Sequence, residues 1–288
     1  STTTASTSAA FGSFSLYSNT TGADNTALGS NAMYYNTTGA SNLAVGKLAL
    51  VSNTTASYNT AVGYEAGYAN TTGNVAAFGA QALKSNTTGA YNTAVGGSAL
   101  QANTTANYNT SVGFQSSYTN TTGGYNTAVG YKAAFANTTG VGLASIGSQS
   151  LMTNTTGAYN TAVGNNALRL NTTGNYNVAL GMYALDANTT ASNNIAVGYQ
   201  AAYSNTTGYN NTAVGYQAAY TNTTGTELTA IGRKSLFANT TGNYNTAVGL
   251  NSLVANTTGS YNAALGVQSL NSNTTGTDNT ALGFHSLY

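Results

Sequence analysis

Two consecutive stretches decide the fold: Asn86-Thr-Thr-Gly-Ala-Tyr-Asn-Thr-Ala-Val-Gly-Gly-Ser-Ala-Leu-Gln-Ala102 and Asn103-Thr-Thr-Ala-Asn-Tyr-Asn-Thr-Ser-Val-Gly-Phe-Gln-Ser-Ser-Tyr-Thr119. Aligned, they share Asn, Thr, Thr, Tyr, Asn, Thr, Val and Gly in the same places. Working outward, Asn-Thr-Thr recurs sixteen times from Asn19 to Asn273 with a period of seventeen, broken once by a period of sixteen between Asn70 and Asn86. A degenerate copy, Thr2-Thr3-Thr4-Ala5, leads to Gly12 just as Asn19 leads to Gly29. The chain of 288 residues is therefore seventeen copies, a single continuous array over 1–288. Copies start at about 2, 19, 36, 53, 70 and 86, and then at every seventeenth position to 273. Because Ser1 and Tyr288 would join in phase and no initiator Met is present, the expectation is a processed chain or a segment of a longer fibre.

With the Asn as position 1, each column has a physical meaning. A flexible linker has no reason to hold register. A stacked fold does, because a slip of one residue turns strand side chains onto the wrong face. Position 11 is Gly in all 17 copies, a sign of positive φ or of close approach by another strand. Position 4 is Gly in 13 copies and Ala in 4, so a tight turn suffices there without a left-handed backbone. The segments between these turns, N-T-A-V and Y-Q-A-L-Y, have strand length and no helical periodicity. They predict an all-β fold, a parallel β-solenoid or β-roll of seventeen 17-residue coils with two short strands per coil. Stacking at roughly 4.8 Å per coil predicts a rod of about 80 Å.

Positions 9 and 14 are always Ala or Ser, and position 10 is always sizeable and apolar, mostly Val. Neighbours on a strand face opposite sides. Positions 9 and 14 would thus meet across a thin interior, leaving the Val column to find a partner surface. That points to self-association, as a homotrimer or fibre bundle. A single-chain solenoid with Val and Leu both inside is the competing arrangement. Position 15 is Leu in 11 copies and Met33 in another, and is small at Gly67, Ser117, Ala134, Ala202 and Ala219. Those five copies carry aromatics at positions 12 and 16, which reads as volume compensation or as two inherited repeat subtypes.

Composition removes other classes. Six Lys+Arg, five Asp+Glu and one His leave no basic footprint for nucleic acid and little for acid–base or metal chemistry. No cysteine is available for disulfides, and no apolar run is long enough for membrane insertion as a helix. Asp278 and His285 share a copy, but without an arranged nucleophile they make no triad. The expectations are no enzymatic activity, no cofactor and no metal.

The segments Asn92-Thr-Ala-Val-Gly96 and Asn126-Thr-Ala-Val-Gly-Tyr-Lys-Ala-Ala134 resemble the head repeats of trimeric autotransporter adhesins and the N-T-A-x-G-Y-Q-A repeats of some phage tail-fibre proteins. The resemblance implies a left-handed parallel β-roll, three of which surround an axis. It covers the strand–Gly–strand part of every copy; the long N-T-T-G-x-Y turn departs from it. No binding residue carries over.

Two sets of surface candidates follow. Asn-Thr-Thr is an N-glycosylation sequon. The candidates are Asn19, Asn36, Asn53, Asn70, Asn86, Asn103, Asn120, Asn137, Asn154, Asn171, Asn188, Asn205, Asn222, Asn239, Asn256 and Asn273, with Asn109 and Asn210 in two further sequons. A structural Asn/Thr ladder is the alternative, and small O-linked sugars on some Thr hydroxyls, with Thr20 and Thr21 as candidates, or on Tyr hydroxyls fit the tight spacing better than N-glycans. The second set is the tyrosine column at position 6: Tyr58, Tyr91, Tyr108, Tyr125, Tyr159, Tyr176, Tyr244 and Tyr261. It is either a packed ladder or a stripe that contacts host glycans. The expected function is a structural segment of an extracellular or virion-surface fibre. An adhesin head or tail-fibre shaft binding glycans is the alternative, and ice binding is remote because the Thr column at position 8 is narrow.

Overall fold

Each T-A-V run is long enough for one short strand, and the Gly that follows ends it. A computed structural model describes residues 7–288; the degenerate Thr2–Ala5 turn lies outside the described residues. The fold is all-β, with 17 parallel strands in a β-solenoid. Contacts divide the chain into two compact units, Ser1–Gly142 and Leu143–Tyr288. The first holds eight strands from β1 (Ala9–Phe11) to β8 (Thr127–Val129), and the second nine from β9 (Ala144–Ile146) to β17 (Thr280–Leu282). Within each unit every strand pairs with the next copy at equal positions, as in Ala162↔Ala179 and Val163↔Leu180.

Only the first of the two expected strands forms. The Y-Q-A-L-Y segment is a run of turns, because positions 13 and 15 adopt left-handed backbone without glycine: Tyr183 has φ 60° and Leu185 φ 50°. Position 6 does the same, as at Tyr176 with φ 57°. These bends break the alternation of a strand, so positions 14 and 15 both point inward. Ala184 and Leu185 are fully buried, together with Ala179 at position 9. Each buried Leu contributes about 1.5–3 kcal/mol by leaving water.

Coils are joined by amides that point both ways along the stack. Thr172, Val178, Leu168 and Leu170 donate to the following coil, at Thr189 O (2.8 Å), Asn194 O (2.8 Å), Ala184 O (3.0 Å) and Asp186 O (3.0 Å). Tyr176, Gly181 and Tyr183 donate to the preceding coil, at Ala158 O (3.1 Å), Val163 O (2.8 Å) and Asn165 O (3.0 Å). Gly181 has φ 132°, and a Cβ there would lie 2.5 Å from Gly198 O, so both reasons for an invariant glycine hold at once. Among the described residues no position-4 glycine is left-handed.

The Val column faces outward. Val95 is 39% exposed and Val163 37%, while Val62 and Val214 are half-buried. This overturns the single-chain arrangement with Val and Leu both inside. The aromatic rings of the five small-residue copies also stay outside: Tyr118 stacks on Phe135 at 5.2 Å and Tyr203 on Tyr220 at 5.2 Å. At Gly67 the vacated space lies against Leu50 from the preceding coil, whose Cδ2 would come within 3.0 Å of a Cβ. Neighbouring Leu and small residues, rather than rings, fill the interior. One coil has an all-hydroxyl core, Ser111, Ser116 and Ser117, and Ser111 Oγ is buried without a partner.

Candidate functional surfaces

The turn N-T-T-G closes on its own first side chain. Asn36 Nδ2 donates to Gly39 O in the same coil (2.9 Å) and to Asn19 Oδ1 in the preceding one (2.8 Å), and Asn53 Nδ2 then donates to Asn36 Oδ1 (2.8 Å). From Asn19 to Asn256 these position-1 residues are at most 1% exposed; Asn273, in the last copy, is half-buried. A second internal ladder runs along position 7, where Asn42 Oδ1 accepts the Asn59 backbone amide at 2.8 Å and Asn42 Nδ2 donates to Ala56 O at 2.9 Å. Val75, Leu143 and Leu228 replace Asn in that column and are buried.

The sequon candidates divide on this geometry. Both Nδ2 hydrogens are spent inside the stack at Asn36, Asn53 and Asn171, and Asn70 is fully buried with its Nδ2 on Gly73 O, so an N-glycan has no way onto these residues while the coil is closed. Asn109, at position 7, is equally buried. Asn210 is the exception: it sits at position 6, is exposed, and donates to Glu227 Oε1 at 2.7 Å. The two threonines also differ. Thr20 Oγ1 donates to Thr37 O of the next coil at 2.9 Å, and the same bond recurs at Thr37, Thr87, Thr172 and Thr240. Thr21 is exposed, with its hydroxyl in no such bond.

The position-6 tyrosines stand outside, Tyr58 at 76% exposure, and stack on one another in short runs. Tyr91, Tyr108 and Tyr125 are 5.2 and 5.1 Å apart, Tyr159 and Tyr176 5.3 Å, and Tyr244 and Tyr261 5.0 Å, all within 18° of parallel. Only Tyr108 has both ring faces covered; Tyr91, Tyr125, Tyr159, Tyr176, Tyr244 and Tyr261 each keep one open face, and Tyr58 stacks on no other ring among the described residues.

Two ion pairs link neighbouring coils. Lys84 Nζ lies 2.7 Å from Glu65 Oε2, with Gln81 Nε2 at 3.1 Å on the same oxygen. The Lys84 hydrogen bond holds the Glu65 carboxyl below its ordinary range, and Glu65 in return raises the Lys84 ammonium. Arg169 grips Asp186 with two bonds, Nε–Oδ1 2.8 Å and Nη2–Oδ2 2.9 Å, which raise its pKa further. Among the described residues no group of three or more His, Cys, Asp and Glu could hold a metal ion. Asp278 and His285 are both exposed, and His285 packs between the Phe284 and Tyr288 rings. Among the described residues no helix is long and apolar enough to cross a membrane.

The sequence signals missed two features: the left-handed non-glycine positions and the two internal asparagine ladders as separate systems. Both have only a periodic signature, which a one-copy motif would not show. Searches of family models, curated proteins and solved structures return no match to this chain.

Proposed function

We propose that this chain is a structural element of an extracellular or virion-surface fibre, a stiff β-solenoid that spaces or displays other parts and associates with copies of itself. The carrying observation is the outward apolar column at position 10. It presents Leu28, Phe78, Val95, Val112 and Val129 in the first unit, and Ile146, Val163, Leu180, Ile231 and Leu265 in the second. The in-register strands repeat this column once per coil, at roughly 4.8 Å. Only a surface with the same pitch stays in contact along its length, and a second copy of this chain is such a surface. Low charge fits the same role, since like charges stacked at this spacing repel.

Sedimentation equilibrium tests the association. The expected mass is two or three times the 29.0 kDa of one chain. Replacing Val163, Val197 and Val214 by Thr, which keeps the branched shape and removes apolar surface, is expected to shift the chain toward monomer without lowering its resistance to urea. A wild-type chain that keeps the mass of a single copy across concentration refutes self-association. The adhesin alternative rests on the tyrosine column, whose open faces, as at Tyr58, fall in short interrupted runs rather than in a continuous stripe.

A further inference from the structure

Every column of the coil held to one residue type has a visible task, with one exception. Position-1 Asn closes the turn and builds a buried ladder. Position-2 Thr ties its hydroxyl to the next coil. Position-11 Gly answers both a positive φ and a backbone contact. Position 3 is Thr in all 16 copies that begin with Asn, from Thr21 and Thr38 through Thr156 to Thr275. It is exposed in each of them, and its hydroxyl makes no hydrogen bond with the protein.

Strand propensity does not account for this constancy. Position 8 also points outward on a strand, and it has drifted from Thr to Leu43, Ala76, Val178 and Ile195. The copies have therefore had ample opportunity to change, and an exposed β-branched position without a task has changed. The sequon offers another reason for Thr at position 3, as the third residue of Asn-Thr-Thr. The structure removes that reason for the folded coil, because the Asn amide is buried and hydrogen-bonded inside the stack. What the N-T-T turn presents to solvent is the hydroxyl of its second threonine. No Asp, Glu, Lys or Arg stands at positions 1–5 or 17 of any copy, so the surroundings of this hydroxyl are neutral and polar.

We propose that the position-3 threonines are acceptors for O-linked sugars, forming a glycan line along the solenoid. The donor is a phosphate-activated sugar handled by a separate transferase. Thr Oγ1 attacks the anomeric carbon, the bond from that carbon to the phosphate oxygen breaks, and the phosphate leaves with its electron pair. The hydroxyl proton passes to a base on the transferase. No oxidation or reduction is involved. Neighbouring acceptors are roughly 4.8 Å apart, so single sugars or decoration of alternate coils are expected rather than bulky branched glycans on every coil.

Intact mass and residue-level fragmentation of the chain from its native source test the proposal. The expected result is a mass above the bare 29.0 kDa in whole-sugar increments, lost on alkaline β-elimination, with sites at position 3. In the native host, the triple variant Thr88→Val, Thr105→Val, Thr122→Val loses the sugars of those three sites with unchanged thermal unfolding, and the Ser versions retain them. Replacing Thr87 and Thr104 at position 2 instead lowers the unfolding temperature and leaves the sugars in place. The unmodified mass, or sugar confined to asparagines or to other hydroxyls, overturns the proposal. Such a result leaves the structural-fibre reading standing, since that is judged by sedimentation.

Discussion

Replacing Asn171 by Ala tests whether the buried asparagine ladder holds the coils together. Asn171 Nδ2 donates to Gly174 O at 3.0 Å and to Asn154 Oδ1 at 2.8 Å, and its Oδ1 accepts from Asn188 Nδ2 at 2.8 Å. Alanine removes all three bonds and leaves three buried polar groups to find other partners. A buried group left unsatisfied costs about 1–3 kcal/mol. Partial relaxation and shared partners bring the sum to roughly 3–6 kcal/mol, of which a neighbouring water could recover some. A global unfolding midpoint shows that a repeat stack is weakened but not which coil opens. Hydrogen exchange by mass spectrometry reports each coil instead. The amides of Thr172 and Leu168, bonded to Thr189 O and Ala184 O, are expected to exchange roughly 100- to 10,000-fold faster, since each 1.4 kcal/mol is tenfold. Thr173→Val, at the exposed position 3, is the control and is expected to change nothing. If Asn171→Ala accelerates these amides less than about fivefold, or no more than the control, the ladder is not a main support of the stack.

Three further outcomes follow from the geometry. Gly198→Ala places a Cβ 2.6 Å from Gly215 O at φ 130°, and is expected to cost roughly 3 kcal/mol or more; an unchanged exchange pattern in coils 188–222 refutes this. Gln149 has φ 57°, so Gln149→Gly exchanges about 1 kcal/mol of left-handed strain for about 0.5–1 kcal/mol of glycine entropy, and near-neutrality is expected. Thr161→Gly, in a strand, should cost about 1 kcal/mol, and the reverse ranking would refute the backbone assignment. Finally, the Glu65 carboxyl is lowered from 4.5 and the Lys84 ammonium raised from 10.5. Glu65 thus adds stability above pH 4.5 that is lost as pH falls through its lower folded value, and Lys84 adds stability below pH 10.5 that is lost as pH rises through its higher one. With Lys84 about one-third exposed, the pair is worth about 0.2–1 kcal/mol. The difference in urea resistance between wild type and Glu65→Gln should close below pH 4.5, and a gap that persists there refutes the pairing as its source.

The repeat, the inward Ala and Ser columns and the demand on Gly181 and its equivalents were legible because each is a constraint that recurs at one position. The second half of the coil was not. Gln and Lys at position 13 and Leu at position 15 carry no mark of left-handed backbone, which is ordinarily read from glycine or asparagine, and Asn stands at position 13 only in the copies of Asn31, Asn166 and Asn251. Stacking imposes it: the bends at Tyr183 and Leu185 turn both Ala184 and Leu185 inward, and the buried Leu repays the local strain. The shorter period between Asn70 and Asn86 is absorbed in the approach to the strand, near Asn74. That copy simply lacks the left-handed residue of position 6, and Val75 joins the strand Val75–Phe78. The disturbance it leaves is Asn53 Oδ1, buried without a partner beside the altered turn. For the surface, Asn-Thr-Thr was visible as a motif, but only geometry separates the buried amide, the tethered hydroxyl and the free one.

The opposed amide directions within each coil have an electrostatic consequence. In an α-helix all peptide dipoles add, and a partial charge of about half a unit collects at each end. Here the donors of Thr172, Val178, Leu168 and Leu170 point one way along the stack, and those of Tyr176, Gly181 and Tyr183 the other. Their dipoles oppose one another within each coil, so the partial charge left at each end is smaller than aligned dipoles would give. A gene that gains or loses repeats by recombination would thus change the reach of the product without changing the electrical character of its ends.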